Sequence, residues 1–260
     1  MIRTSVREHV LVVELDNPDR LNALSTQDFR DLTACWDRLM SDDDLRVAVI
    51  HGAGERAFSV GADVKVLEDV GDAGSGGYWS DPDRGYGVNL EDGRAVWKPV
   101  IAAIHGYCVG GGLVLALGAD MRLASADATF SLPEVKLGVN TVTGAALLAG
   151  LVGRGRASRL ALTGDRIDAA QAESWGLIDG VLPDRAALLE AAFAVADRIA
   201  ANAPRAVQAV KEIIVRSESM HLRDVLALGE SMRQVVIATN DYDEGLTAFR
   251  EKRAPVFTGS

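Results

Sequence analysis

Three short runs set the pattern of this chain: Val10-Leu11-Val12-Val13-Glu14-Leu15, Val47-Ala48-Val49-Ile50 and Val100-Ile101-Ala102-Ala103-Ile104. They are brief, rich in β-branched residues and nearly free of charge, which reads as strand and not helix. Between the first two, Phe29, Leu32, Trp36 and Leu39 recur at helical spacing, and Ser25 followed by Asp28 supplies a capping start. Strand, helix, strand in this rhythm predicts an α/β layer structure with crossover helices. Met121–Ala124 and Thr129–Ser131 read as further strands. The second half turns helical: Asp168 with Gln171 marks a start and Gly176 a stop. Leu188, Leu189, Ala192, Phe193, Ala196 and Ile199 form one apolar face, and Val207, Val210, Ile213 and Ile214 another, with a third helical stretch over Leu222–Asn240.

Composition narrows what such a chain can do. Its 260 residues carry 27 Lys plus Arg against 37 Asp plus Glu, a formal charge of −10 that argues against a nucleic-acid backbone binder. With 48% hydrophobic residues it can bury a sizeable core without staples, and with few aromatics that core must be mainly aliphatic. Cys35 and Cys108 are its only cysteines, too few for a disulfide framework or a structural zinc site. The opening Met1–Glu8 lacks the apolar stretch of a secretory signal, and Val109–Ala119 is too short to span a membrane. A cytoplasmic protein with no membrane insertion is expected. Gly71–Gly93 is glycine-rich and acidic, yet holds Tyr78, Trp79 and Tyr86, so it reads as a surface loop or as a lid over a ligand.

Familiar nucleophile, metal and nucleotide motifs are missing: no G-x-S-x-G, H-E-x-x-H, P-loop or G-x-G-x-x-G occurs, and the four histidines are scattered. What remains is a strand-to-helix junction, His105-Gly106-Tyr107-Cys108-Val109-Gly110-Gly111-Gly112, followed by apolar Leu113–Ala116. Glycines at a helix start leave backbone N–H groups uncovered in a region of positive potential, where an anion or a developing oxyanion can be held. Ala57–Lys65 offers a second small-residue turn after a strand. Ser131–Gly138 places one carboxylate, Glu134, among apolar neighbours.

Taken in order, these blocks resemble the enoyl-CoA hydratase/isomerase (crotonase) superfamily. The resemblance starts at Asn17-Pro18-Asp19-Arg20-Leu21-Asn22-Ala23-Leu24 and runs through Phe58–Lys65, Gly106–Asp120, Leu132–Gly138, Ala169–Asp179 and Glu244–Arg253. It implies a spiral of ββα units over residues 1–200, then a helical oligomerisation region over 201–260 that forms trimers or paired trimers. It also implies that the N–H groups of Ala62 and Gly111 hold the oxygen of an acyl-CoA thioester, with Glu134 as acid–base. By position, Arg20, Ala23, Gly61, Asp63, Val64, Lys65, Gly110, Val114 and Pro133 fall in the substrate-contacting segments, and Phe249 and Lys252 in a tail that reaches a neighbouring subunit's coenzyme A. Coenzyme A enters as part of the substrate; no metal and no separate cofactor is implied.

Two departures matter. The family's hydratases use two glutamates, and the first belongs where this chain has Val114, flanked by Leu113 and Leu115. One carboxylate suits proton transfer between two carbons of a held enolate, the chemistry of a Δ3-Δ2-enoyl-CoA isomerase, better than addition of water. Burial among apolar neighbours is expected to raise the pKa of that carboxylate. The loop Gly138–Gly144 also departs from the Pro/Gly-rich family version and is one residue shorter. Its Asn140, Thr141 and Thr143 can hold a water, so a hydratase with water placed by other groups stays open, as does a catalytically weak CoA-ester binder.

Overall fold

The computed structural model describes residues 1–63 and 96–260. Ten strands occur among them: β1 Ile2–Arg7, β2 Val10–Leu15, β3 Val47–Gly52, β4 Ala57–Ser59, β5 Val100–Ile104, β6 Tyr107–Val109, β7 Met121–Ser125, β8 Thr129–Ser131, β9 Ile167–Asp168 and β10 Gly180–Leu182. Helices are α1 Thr26–Ser41, α2 Gly111–Leu117, α3 Val142–Val152, α4 Arg154–Thr163, α5 Ala169–Trp175, α6 Arg185–Ala200, α7 Pro204–Ser217, α8 Leu222–Val236 and α9 Asn240–Glu251.

The strands divide between two sheets in a way that makes the spiral visible. One sheet runs β1-β2-β3-β5-β7-β10 and the other β4-β6-β8-β9. Each of β3/β4, β5/β6 and β7/β8 sends its first strand to the larger sheet and its second to the smaller. Neighbours from β2 to β10 are parallel, as are β4, β6 and β8; the edges β1 and β9 pair antiparallel. Successive turns therefore stack two strands at a time, and the junction between the two sheets recurs beside each preceding one.

Burial explains why the runs lack charge. Every residue of β3 and β5 is buried; Ala48 and Ile50 face the main core, while Val47 and Val49 face α6. On α1, Phe29, Leu32, Trp36 and Leu39 are at most 1% exposed, each contributing about 1.5–3 kcal/mol of apolar burial. The expected caps are present: Ser25 and Asp28 form a reciprocal capping box, Asp168 accepts from the Gln171 amide, and Gly176 ends α5 in the left-handed region. One expectation is corrected. The stretch Leu222–Asn240 is not one helix: α8 stops at Val236, and α9 begins at Asn240 with Thr239 as its N-cap. β1, not singled out in the sequence, alternates Ile2, Thr4 and Val6 with Arg3, Ser5 and Arg7, and every side chain after Ile2 is exposed.

The C-terminal helices join the core through polar contacts. Lys211 of α7, 5% exposed, pairs with Asp120 at 2.7 Å and donates to the Lys98 carbonyl at 3.0 Å, while Asp120 also accepts from the Val100 amide. Arg216 lies over the Trp97 ring, 5.3 Å from its centroid. No helix among the described residues is long and apolar enough to cross a membrane.

Candidate active site

Two strand ends of the smaller sheet, β4 and β6, run side by side and release the chain into adjacent turns. After β4, Gly61 has φ +82, and its carbonyl accepts from the Leu24 amide at 2.8 Å. The Leu24 carbonyl in turn accepts from the Asp63 amide at 2.9 Å. In a trans peptide the C=O and N–H point in opposite directions, so the bond to Gly61 oxygen turns the Ala62 N–H away from Leu24. This pairing leaves the Ala62 amide without an acceptor among the described residues.

The second turn works by the same geometry. Gly110, with φ +55 and ψ −126, caps α2; its N–H donates to the Ser131 carbonyl and its own carbonyl accepts from the Val114 amide, both at 3.0 Å. Its carbonyl points into the helix, so the Gly111 N–H points outward from the first turn, where no intrahelical acceptor exists. A left-handed φ at each of these two positions needs glycine. The turns also touch: a Cβ placed on Gly61 falls 2.9 Å from Gly111 Cα and nearer still to Gly111 nitrogen. Gly61 and Gly110 are buried, whereas Ala62 and Gly111 keep some exposure, so the two amides without an acceptor among the described residues are the reachable ones.

Glu134 opens a short 3-10 turn, Glu134–Leu137, for which Pro133 supplies the N-terminal cap. A Cβ on Gly110 would sit 3.5 Å from Glu134 Oε1, which puts this carboxylate beside the glycine turn. Oε2 is buried and finds no hydrogen-bond partner among the described residues. Burial raises the Glu134 pKa above the ordinary carboxylate value, as expected from the sequence, with a bond from its own backbone amide opposing the shift. Val114 is 4% exposed and, with Leu132, crowds Gly144 of α3, where Thr141 Oγ1 also approaches.

The structure therefore brings Gly61, Ala62, Gly110, Gly111, Pro133, Glu134 and Val114 together. Arg20 and Asp63 form an ion pair at 2.5 Å at the edge of the same region. Ala23 is buried behind it, its carbonyl accepting from Asn17 Nδ2. Phe249 is 84% exposed on α9, and Lys252 stands exposed at that helix's end, so within one chain neither is packed into the core. Val64 and Lys65 lie outside the described residues, as does the Gly71–Gly93 loop. Among the described residues no group of three or more His, Cys, Asp or Glu side chains could hold a metal ion.

Two residues that do not stand out in the sequence brace the first turn. Asn22, 1% exposed with φ +55, donates from Nδ2 to the carbonyls of Ala53 and Ala57 and accepts the Asn17 amide on Oδ1. Ser59, fully buried, donates from Oγ to the Asn22 carbonyl at 2.8 Å and accepts the Gly61 amide at 3.0 Å. Only the small polar character of Ser59 in the apolar setting Ala57-Phe58 hinted at this.

Two outward amides beside one buried carboxylate can bind an oxygen on which negative charge develops and move a proton next to it; such sites define the class of oxyanion-stabilising acid–base centres. The profile of the enoyl-CoA hydratase/isomerase family matches residues 5–260. Over 260 residues the chain is 37% identical to (E)-benzylidenesuccinyl-CoA hydratase of Thauera aromatica, covering all of this chain and 99% of the relative. It is 36% identical to carnitinyl-CoA dehydratase of Proteus mirabilis, covering 99% and 98%. A crystal structure of enoyl-CoA hydratase from Bacillus anthracis superposes with a TM-score of 0.88 at 33% identity, covering 100% and 99%. The chain belongs to the enoyl-CoA hydratase/isomerase family and is an acyl-CoA enzyme of the crotonase fold.

Proposed function

We propose that this enzyme moves a double bond along the acyl chain of an enoyl-CoA thioester, with Glu134 as its single acid–base. The thioester oxygen sits between the Ala62 and Gly111 amides. Glu134, ionised, takes a proton from C2 of a 3-enoyl-CoA; the electron pair passes into the enolate, whose charge the two amides stabilise. The same carboxyl group returns the proton to C4, giving the 2-enoyl-CoA. Each amide that strengthens its bond as charge develops is worth about 3–4 kcal/mol. A raised pKa brings Glu134 nearer to a base matched to neutral conditions.

The observation that carries this reading is Val114: the helical turn after the glycines presents a buried apolar side chain and no second carboxylate, and one carboxylate, Glu134, suffices for a transfer between two carbons. Arg20, Asp63 and Lys65, with Ala23, Val64 and Pro133, are assigned to the coenzyme A and acyl contacts. Phe249 and Lys252 are assigned to the neighbouring subunit's coenzyme A in a trimer or dimer of trimers.

A second reading, hydration of a 2-enoyl-CoA, is favoured by the names of the relatives, a hydratase and a dehydratase. Thr141 also favours it: its hydroxyl makes no capping bond at the start of α3 and faces the Val114 side of Gly144, where it can hold a water. Supplying the enzyme separately with a 3-enoyl-CoA and a 2-enoyl-CoA decides between them. Conversion of the former to the conjugated product supports isomerisation; hydration of the latter with no shift of the former refutes it in favour of the second reading.

A further inference from the structure

We propose that Ser59 is a positioning residue, whose hydroxyl fixes the aim of the Ala62 amide while its Cβ and backbone seat the start of α2. This deepens the reading above and rests on its placement of the thioester oxygen between Ala62 and Gly111.

Ser59 ends β4 with no solvent exposure, and both hydrogen-bonding capacities of its hydroxyl are used. Oγ donates to the carbonyl of Asn22 and accepts the amide of Gly61. The Asn22 end is rigid, because its side chain is bonded to three backbone groups of Asn17, Ala53 and Ala57. The Gly61 end belongs to the turn that must be held: the peptide before Gly61 is set by Ser59, and the peptide after it carries the Ala62 N–H. Gly61 supplies the only rotatable bonds between those two peptides, and its φ of +82 is one a glycine leaves easily. With Leu24 holding the Gly61 carbonyl, Ser59 and Leu24 together fix both sides of this flexible residue.

Ser59 also touches the second turn. A Cβ on Gly112 would fall 2.9 Å from Ser59 Cβ and 2.8 Å from its carbonyl carbon. The start of α2, and with it the Gly111 amide, is therefore seated against the residue that orients the Ala62 amide. The hydroxyl joins two backbone segments, the Asn22 loop and the Gly61 turn, while the Cβ and backbone of Ser59 pack against the α2 start; an alanine keeps the packing against Gly112 and loses both hydrogen bonds. The Gly61 amide is then buried without an acceptor, and the turn relaxes.

The test compares the wild-type enzyme with Ser59→Ala and Ser59→Cys, whose thiol fills similar space with a weaker donor. The probe is saturated butyryl-CoA carrying a 13C label on its carbonyl, which binds but has no double bond to move. Difference infrared spectroscopy reads the downward shift of the carbonyl stretch, which reports the hydrogen bonds it receives, and calorimetry reads binding of the same thioester. The expected result is a clear downward shift in wild type, a loss of about half of it in Ser59→Ala with affinity within a few-fold, and partial recovery in Ser59→Cys. Turnover of the enoyl-CoA that the wild type accepts should fall about tenfold in kcat with KM little changed, the mark of an interaction made in the transition state. A wild-type shift and kcat in folded Ser59→Ala overturn the role of Ser59 alone. No shift in wild type overturns the two-amide reading and the role of Ser59 with it. Should Ser59→Ala not fold, Ser59→Cys is read by the same criteria, and an undiminished shift there overturns the proposal.

Discussion

Gly61→Ala isolates the geometry on which the chemistry depends. Gly61 has φ +82, and the new Cβ lies 2.9 Å from Gly111 Cα and 3.0 Å from the Val109 carbonyl oxygen. Carbon–carbon contact is favourable only from about 3.5 Å, so the two turns must part by roughly half an ångström or more. The left-handed conformation adds a cost of about 1–2 kcal/mol for any residue with a Cβ. Misplacing a reacting arrangement by about 1 Å can cost 10²-fold, and losing one oxyanion donor about 10²–10³-fold. The expected outcome is a fall of about 10²-fold in kcat on whichever enoyl-CoA the wild type converts, with KM within a few-fold, because the coenzyme A contacts remain. Gly176→Ala is the control: its φ of +77 carries the same backbone cost, but nothing lies within 4 Å of the added Cβ, at the far end of α5. It should lower stability by about 1–2 kcal/mol and leave kcat unchanged. Steady-state kinetics with denaturant unfolding of both variants reads the difference. A folded Gly61→Ala protein with wild-type kcat would refute the idea that the spacing of these turns limits catalysis.

Further outcomes follow from the same groups. Glu134 must be ionised to act as a base, and burial raises its pKa, so kcat/KM should climb with pH to a midpoint above that of an ordinary glutamate. Glu134→Gln should lose that limb along with turnover. The sign for stability is opposite: a carboxyl group with a raised folded-state pKa favours the fold at low pH and loses that contribution as pH rises through the folded value. Glu134→Gln should therefore resist denaturant at least as well as wild type at pH 7, with the advantage vanishing in acid; a marked loss at pH 7 would show that its ionised form is a structural anchor. Lys211→Ala leaves Asp120 without its buried partner and should cost about 3–5 kcal/mol in denaturant unfolding, whereas a loss below 1 kcal/mol would mean that the C-terminal helices are held otherwise. Leu222, Leu226 and Phe249 are 71%, 64% and 84% exposed on α8 and α9, an apolar surface that copies of this chain should cover. Sedimentation should give a trimer or a hexamer; a monomer at micromolar concentration would contradict the assignment of Phe249 and Lys252 to a neighbouring subunit's site.

The legible parts of this chain are those whose local chemistry agrees with their place in the fold. β2, β3 and β5 are apolar on both faces because they lie inside the larger sheet, and the Ser25–Asp28 and Asp168–Gln171 caps act within one helical turn. β1 was hidden because an edge strand pairs through its backbone while its side chains face water. The break after Val236 was hidden because Ile237, Ala238 and Thr239 contain no glycine or proline to announce it. At the site, Glu134 and the glycines stood out by type, and the family resemblance supplied their partners. Asn22 and Ser59 did not, because their contacts join residues 31 to 37 positions apart. Which amide points outward is decided by such pairings, here Leu24 with Gly61 and Val114 with Gly110, and sequence spacing does not show them.

A crystal structure with an unreactive acyl-CoA bound tests the central claim most directly. The thioester oxygen is expected about 2.7–3.1 Å from the nitrogens of both Ala62 and Gly111, with a Glu134 oxygen facing the C2 position. A thioester oxygen directed away from those two amides, with Glu134 remote from the acyl carbons, would contradict it.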